Sequence, residues 1–286
     1  MRRRDLMLAA SGIAFAPAAM AQGGGAPQPT AVWGTGSQRF SLATGSPGEL
    51  GLLQALAERF TAANDAQMAW FFAGSGAAMD HLRARRVDMI LAHAPPAERR
   101  AVADGWATGR VLFGSNEFWV LGPEEDPAGI RGMEALAAFR RMAETKARFV
   151  SRGDNSGTHQ KERQLWAEAG VEPDPAQLIV TRDFMTASMR RANAEGAYFL
   201  TDSSTFIAER ANMPRLRVLV RGGAVLLNPY HTLFLAEPTP ATPIARRFGE
   251  FLLSDAAQAM LRDFGRDRFG EPMYNDRAAT AAVWRE

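Results

Sequence analysis

Ser151-Arg152-Gly153-Asp154-Asn155-Ser156-Gly157-Thr158-His159-Gln160-Lys161-Glu162 carries a guanidinium, hydroxyl groups and a glycine-loosened backbone into the start of a helix. A helix start exposes N–H groups that lack intrahelical partners, at the positive end of the helix dipole, so it is a ready anion site. Arg152 adds a planar fork of donors suited to an oxyanion. The same residues also fit a capped surface helix with an arginine in the loop before it, since Asp, Asn and Ser are common caps. The segments around it separate the two readings.

Immediately upstream, residues 147–150 form a strand-like apolar run, and the helix after the turn closes at Gly170. The same strand–turn–helix order recurs along the chain. Residues 39–43 read as a first strand, followed by Thr44-Gly45-Ser46-Pro47-Gly48-Glu49 and a helical pattern at Leu50, Leu53, Ala57 and Phe60. Ser46 with Glu49 has the capping-box spacing, and Pro47 suits the first helical turn. The strand-like run 68–72 meets Gly74-Ser75-Gly76 and a helix through Arg86; residues 87–92 read as a buried strand. Strands near 110–113 and 118–121 precede a polar break at 122–127, a candidate hinge. Beyond it come a helix at 133–145, a strand at 178–180, and Thr186-Ala187-Ser188 opening a helix that ends at Gly196. Strands follow at 197–201, 218–220 and 232–235, with Leu226-Leu227-Asn228-Pro229-Tyr230 as the return crossing and helices at 242–253 and 255–264. This alternation predicts an α/β fold with parallel strands. Ligands of open α/β sheets bind beyond the carboxyl ends of the strands. Four Gly/Ser/Thr turns, at 44–46, 74–76, 155–158 and 186–188, therefore point toward one cleft. Hydroxyls and backbone N–H groups with few full charges suit a small, fully ionised oxyanion.

The chain ends bound the class. Arg2, Arg3 and Arg4, the apolar run from Leu6 to Phe15 and Ala19-Met20-Ala21 make residues 1–21 an export signal, with a twin-arginine flavour in Arg3-Arg4-Asp5-Leu6. The apolar run is too short to span a bilayer. Residues 22–38, rich in Gly, Pro and Gln, read as a flexible tether. The chain has no cysteine, which excludes disulfides and thiolate metal sites. The net charge of +2 comes from the leader, and Lys146 and Lys161 are the only lysines. No basic stripe with interleaved aromatics marks a nucleic-acid surface. An exported protein without an anchor belongs in the periplasm.

The order Leu42-Ala43-Thr44, Gly51-Leu52-Leu53, Val87 to Pro95, Asn116-Glu117-Phe118, Ser151 to Glu162 with Trp166, and Leu227-Asn228-Pro229-Tyr230 resembles the bacterial tungstate-binding proteins of ABC importers. The resemblance covers roughly residues 39–275. It implies a two-lobed, type II-like periplasmic-binding-protein fold with the ligand cleft between lobes, lobe 1 at 39–118 plus 232–286 and lobe 2 at 119–231. It further implies a monomer that captures tungstate or molybdate, uses no cofactor and delivers the anion to an inner-membrane permease. Carried over residue by residue, Arg152, Ser156 and Thr158 match the family's anion-binding turn. Thr44 and Ser46 match its hydroxyl-rich first turn, Ser75 the next helix start, and Thr186 and Ser188 the second-lobe helix start. The first turn is one residue shorter than the family's, and Gly45 stands where a hydroxyl residue is usual.

Other readings have weaker support. His93, before Ala94-Pro95-Pro96, fits a buried or turn-stabilising histidine better than a ligand. His81, His159 and His231 lack metal-ligand spacing. Asp88 fits a structural role, and Asp154 fits orienting Arg152 or capping. Ser156 or Thr158 with His159 as a base would make a hydrolase, but adjacent helical residues point about 100° apart and no third group orients the base. Arg152-x-Asp154-x-Ser156-Gly157-Thr158 also resembles the turn of phosphate-binding proteins. Hydrogen phosphate carries a proton that needs a carboxylate acceptor, whereas tungstate and molybdate are penalised by one. Glu49 or Asp154 facing the ligand would favour phosphate.

Overall fold

A computed structural model describes residues 28–285; the leader and the first part of the tether lie outside them. In chain order the elements are β1 (Ala31–Trp33), β2 (Gln38–Thr44), α1 (Ser46–Glu49), α2 (Leu52–Asn64), β3 (Ala66–Phe72), α3 (Ser75–Arg83), β4 (Met89–Ala92), α4 (Pro95–Ala103) and β5 (Ala107–Pro123). They continue as α5 (Ala135–Glu144), β6 (Phe149–Ser151), α6 (Gly157–Glu168), β7 (Leu178–Val180), α7 (Met185–Glu195), β8 (Tyr198–Asp202), α8 (Ser203–Glu209) and β9 (Leu216–Val220). The return is β10 (Leu227–Leu235), α9 (Thr242–Leu252), α10 (Asp255–Asp263), α11 (Arg266–Phe269), β11 (Asn275–Asp276) and α12 (Arg277–Val283).

The strands run in the order β1-β3-β2-β4-β10-β5-β8-β6-β7, with β9 and β11 also on β5. Parallel pairs, β2 with β3 and β4, and β6 with β7 and β8, supply the strand–turn–helix units. The middle is antiparallel. Residues 107–117 of β5 pair with β10, and from Phe118 the same strand pairs with β8. Leu227 to His231 lie in register with β5 and β4, so the return crossing is complete before residue 227. The strands expected separately at 110–113 and 118–121 are thus one strand of 17 residues. Gly114-Ser115-Asn116 reads as a break in sequence, yet Leu227 through Tyr230 hydrogen-bond along it.

Each end of this sheet has its own packing. Phe40, Leu53, Phe60 and Phe248 pack on the first side, while Phe139, Phe149 and Trp166 form an edge-to-face cluster on the second. Apolar burial of this kind, at about 25 cal/mol per Å², is the main stabilising term.

Three further sequence expectations change. The tether does not extend to residue 38, because Ala31–Trp33 pair with β3 and the Trp33 ring stacks on Trp70 with centroids 5.9 Å apart. The Ser46/Glu49 capping box does not form. Gly45 is the cap residue and makes no side-chain cap bond, and Gly48 N–H closes the turn on Gly45 O at 2.8 Å. Gly51, at φ +91°, then breaks the expected continuous helix into α1 and α2. Gly48 has no alternative there: a Cβ would sit 2.2 Å from the Trp70 ring, whose Nε1 donates to Thr44 O at 3.0 Å.

Candidate functional site

The loop from β6 to α6 turns through two left-handed residues, Gly153 (φ +63°) and Asn155 (φ +58°). Gly153 is required sterically, since a Cβ would approach Val180 Cγ1 to 2.3 Å. Arg152 is buried; its Nε donates to Asp183 O at 3.3 Å and its guanidinium pairs with Asp154. Asp154 in turn accepts from Ser156 N–H at 3.0 Å. Burial works against the Asp154 charge, but hydrogen bonds from Ser156 and the Arg152 guanidinium outweigh it and hold the carboxyl below its ordinary value. Ser156 caps α6, accepting from His159 N–H at 3.4 Å. Thr158 is buried in the first turn of α6.

At the second turn of this side, Phe184 precedes α7 without a side-chain cap, leaving the first N–H groups of the helix uncovered. Thr186 is half-buried at the helix start. Ser188 faces inward: its hydroxyl shares a 2.7 Å hydrogen bond with Thr181 and reaches Asp183 O at 3.3 Å. It builds the turn.

On the other side, Thr44 donates its hydroxyl to Leu91 O at 3.0 Å, tying β2 to β4. Ser46 is half-buried at the start of α1, with the Tyr230 hydroxyl among its neighbours. Ser75 opens α3, is buried, and accepts from His93 N–H at 3.0 Å, which leaves its own proton uncommitted. Glu49 reaches the space between the sides while remaining solvent-accessible. Loss of hydration and the Asp202 carboxylate raise its pKa, and Arg152 opposes the shift.

The two sides touch. A Cβ on Gly157, the first residue of α6, would lie 2.7 Å from His93 Cε1, so only a glycine lets this helix start rest on the imidazole. Phe72 at the end of β3 meets Phe184 with ring centroids 6.1 Å apart.

His93 is held from behind. Its Nδ1 meets Asn228 Oδ1 at 2.9 Å, Asn228 donates to Asn116 Oδ1 at 2.6 Å, and Asn116 donates to Ser204 at 2.8 Å and to Asp202 at 3.3 Å. Asp202 also accepts from Ser204, from Thr205 N–H and from the Thr205 hydroxyl, so its charge is met by four donors and the start of α8. Burial lowers the His93 pKa, with the Asn228 hydrogen bond opposing. The loop after His93 is pinned by Glu98, which accepts from Ala94 N–H at 2.7 Å and pairs with buried Arg110 and His231. His93 is half-buried and, of the expected alternatives, fits the turn-stabilising one.

Arg152, Ser156 and Thr158 stand on one side, Ser46 and Ser75 on the other, and Thr186 at the neighbouring helix start. Thr44 and Ser188 have hydroxyls committed within their own turns. Asn116, Asn228 and Asp202 are unassigned from sequence, although the spacing Asp202-Ser203-Ser204-Thr205 is a legible cap signal. His159 Nδ1 accepts from Asn155 N–H at 2.9 Å, an engagement within its own turn. No group of three His, Cys, Asp or Glu side chains able to hold a metal occurs among the described residues. A concavity lined by Arg131, Met133, Glu134 and Arg221 involves none of the turn residues.

Behind Arg152, Glu162 is 4% exposed. Burial raises its pKa to about 7, against the Ser151 hydroxyl and Arg152 N–H that favour its charge. The folded state therefore keeps this proton where the unfolded chain has lost it. Its stabilising contribution is complete below about 4.5 and is lost as pH rises to about 7. Glu162→Gln removes this slope. Urea unfolding across that window should show the variant's stability flat relative to wild type and higher by on the order of 1–3 kcal/mol near pH 8.

A mixed sheet with paired helix-start turns facing one another across shared strands defines a two-sided α/β ligand-binding protein. Residues 29–256 match the PBP superfamily domain, and the chain belongs to that superfamily. It is 37% identical over 243 residues to a Haloferax volcanii protein named for anion binding in an ABC transporter, covering 81% of this chain and 70% of that one. It is 29% identical over 243 residues to the tungstate-binding protein TupA of Peptoclostridium acidaminophilum, covering 82% and 84%. The solved structure of the tungstate-binding protein TupA from Desulfovibrio alaskensis G20 superposes with a TM-score of 0.76 at 33% identity, over 84% of this chain and 99% of that one.

Proposed function

We propose that this chain is a periplasmic solute-binding protein that captures a tetrahedral oxyanion, tungstate or molybdate, and hands it to an ABC permease without chemical change. The observation that supports the reading is a buried arginine at a hydroxyl-lined helix start, its charge felt by Glu49 and His93 on the other side, in a chain similar to anion- and tungstate-binding proteins. Arg152, Ser156, Thr158, Ser46, Ser75 and Thr186 are the proposed donors; Thr44 and Ser188 shape the turns that present backbone N–H groups. The lobes join at 117–118 and at the loop before residue 227, and closing over the anion brings α6 onto His93. The protein acts as a monomer, exported by the leader at 1–21, whose arginine pair suits the twin-arginine route.

Glu49 supports one second reading. A carboxyl at the mouth of the cleft is the acceptor a protonated anion needs, which favours hydrogen phosphate.

A thermal-shift panel of tungstate, molybdate, sulfate, phosphate and small carboxylates decides between them, because a ligand bound only to the native state raises the melting temperature. Tungstate and molybdate should give the largest shifts. A phosphate-only response selects the second reading, and no response to any oxyanion ends both. Calorimetry of Arg152→Ala should show anion affinity lowered at least about tenfold, since the buried charge loses its cation. Gly157→Ala should lower the unliganded melting temperature by a few degrees, because the clash with His93 outweighs the gain in helix propensity. Its added methyl should hold α6 off His93 and weaken anion binding by about tenfold or more, by the same calorimetry.

A further inference from the structure

Four buried side-chain polar atoms have no hydrogen-bond partner among the described residues: the indole nitrogens of Trp166 and Trp284 and the hydroxyls of Tyr230 and Tyr274. The two tyrosines come from β10 and from the residue before β11, yet their rings lie 6.5 Å apart. They are 1% and 4% exposed. Leaving a buried hydroxyl unpaired costs about 1–3 kcal/mol, so two at one place call for a reason.

Their surroundings supply it. The Tyr230 ring packs 5.1 Å from His93, the residue on which the start of α6 rests. Ser46 and Asn116 approach the Tyr230 hydroxyl closely enough to favour the charged form, but neither meets it with hydrogen-bond geometry. Ser204 approaches the Tyr274 hydroxyl but is engaged by Asn116 and Asp202 and does not meet it with hydrogen-bond geometry, and Asp202 and Glu49 are close enough to act on its charge. Both phenols therefore end near Asp202 at the junction where β5 and β10 join the two sides, Tyr230 beside Ser46 at the start of α1 and Tyr274 within reach of the Glu49 charge. Asp202 already accepts from Ser204, Thr205 and Asn116, and so takes neither proton.

We propose that the Tyr230 and Tyr274 hydroxyls are two further donors to the bound oxyanion, supplied by the strands that join the lobes. The inference rests on the oxyanion-binding reading above. Burial above all pushes both phenols far above their ordinary pKa, helped by Tyr274 and Asp202 at Tyr230 and by Asp202 and Glu49 at Tyr274, so each keeps its proton at any working pH. A phenol held in this way donates and does not accept a proton from the ligand, which suits a fully ionised anion and gives the floor of the cleft the same preference as its walls.

The test uses the full mature chain with sodium tungstate and sodium molybdate as probes. Tyr230→Phe and Tyr274→Phe each remove one unpaired oxygen and keep the ring. Each should leave the unliganded melting temperature unchanged or raise it, and weaken affinity by calorimetry about tenfold. The chain has three tyrosines, and the third, Tyr198, has its hydroxyl fixed by Ala128 N–H and Asp126. A tyrosine ultraviolet difference spectrum on adding anion should therefore appear in wild type, shrink in each variant and vanish in the double variant. If wild type binds and both variants bind as tightly, the inference fails alone. A drop in unliganded stability without loss of affinity assigns the hydroxyls to an internal water and overturns it as well. Failure of wild type to bind any oxyanion overturns the reading and the inference together.

Discussion

Strand β5 hydrogen-bonds to β10 along one half of its length and to β8 and β9 along the other. Everything at the site follows from that shared strand. A backbone ladder cannot stretch, so the two sides are fixed to a common rod, and one apolar cluster runs along it from α2 and α9 to α7 and α8. The helix starts are thereby aimed at the junction from both directions. Asn116, on β5, and Asn228, on β10, bond to each other there and connect His93 on one side with Asp202 on the other. The cleft therefore has a polar spine.

That spine has a direction. Asp202 can only accept, Asn116 turns its amide nitrogen toward it, and Asn228 does the same toward Asn116. His93 is left with Nδ1 as the donor at the head of the chain. All of these donors point toward Asp202, so the spine stabilises that buried carboxylate and fixes His93 in place. Arg152 is partly neutralised by Asp154, so much of the attraction toward an anion has to come from oriented N–H and O–H groups.

Most of this architecture was legible from the residues, because strand periodicity and Gly/Ser turns repeat along the chain and Ser151 to Glu162 marks a helix start directly. Where reading failed, backbone geometry had overridden side-chain pattern. Ser46 and Glu49 have capping-box spacing, yet Trp70 presses on Gly48 and the turn closes through Gly45 instead. Ala31–Trp33 sits in a stretch whose composition predicts disorder, and is ordered only because Trp33 finds Trp70. Thr44 and Ser188 carry the expected hydroxyl, but which way a hydroxyl turns depends on carbonyls distant in sequence, such as Leu91 O for Thr44. Tyr230 and Tyr274 are the clearest case. A tyrosine in sequence says nothing about whether its oxygen has a partner, and here only the packing of β10 and the C-terminal segment against His93 leaves both without one.

The Phe72–Phe184 contact has a thermal consequence. The floor of the cleft is polar, but its rim is closed by two phenyl rings that are 37% and 63% exposed even when touching. Drawing the rims together removes apolar surface from water, a process with a negative heat-capacity change whose driving force near room temperature is entropic. Hydrogen bonding at the floor is enthalpic and orders the groups it engages. Closure thus combines two contributions that respond oppositely to warming, so the balance between open and closed forms can stay nearly level over a range of temperatures where either contribution alone would drift.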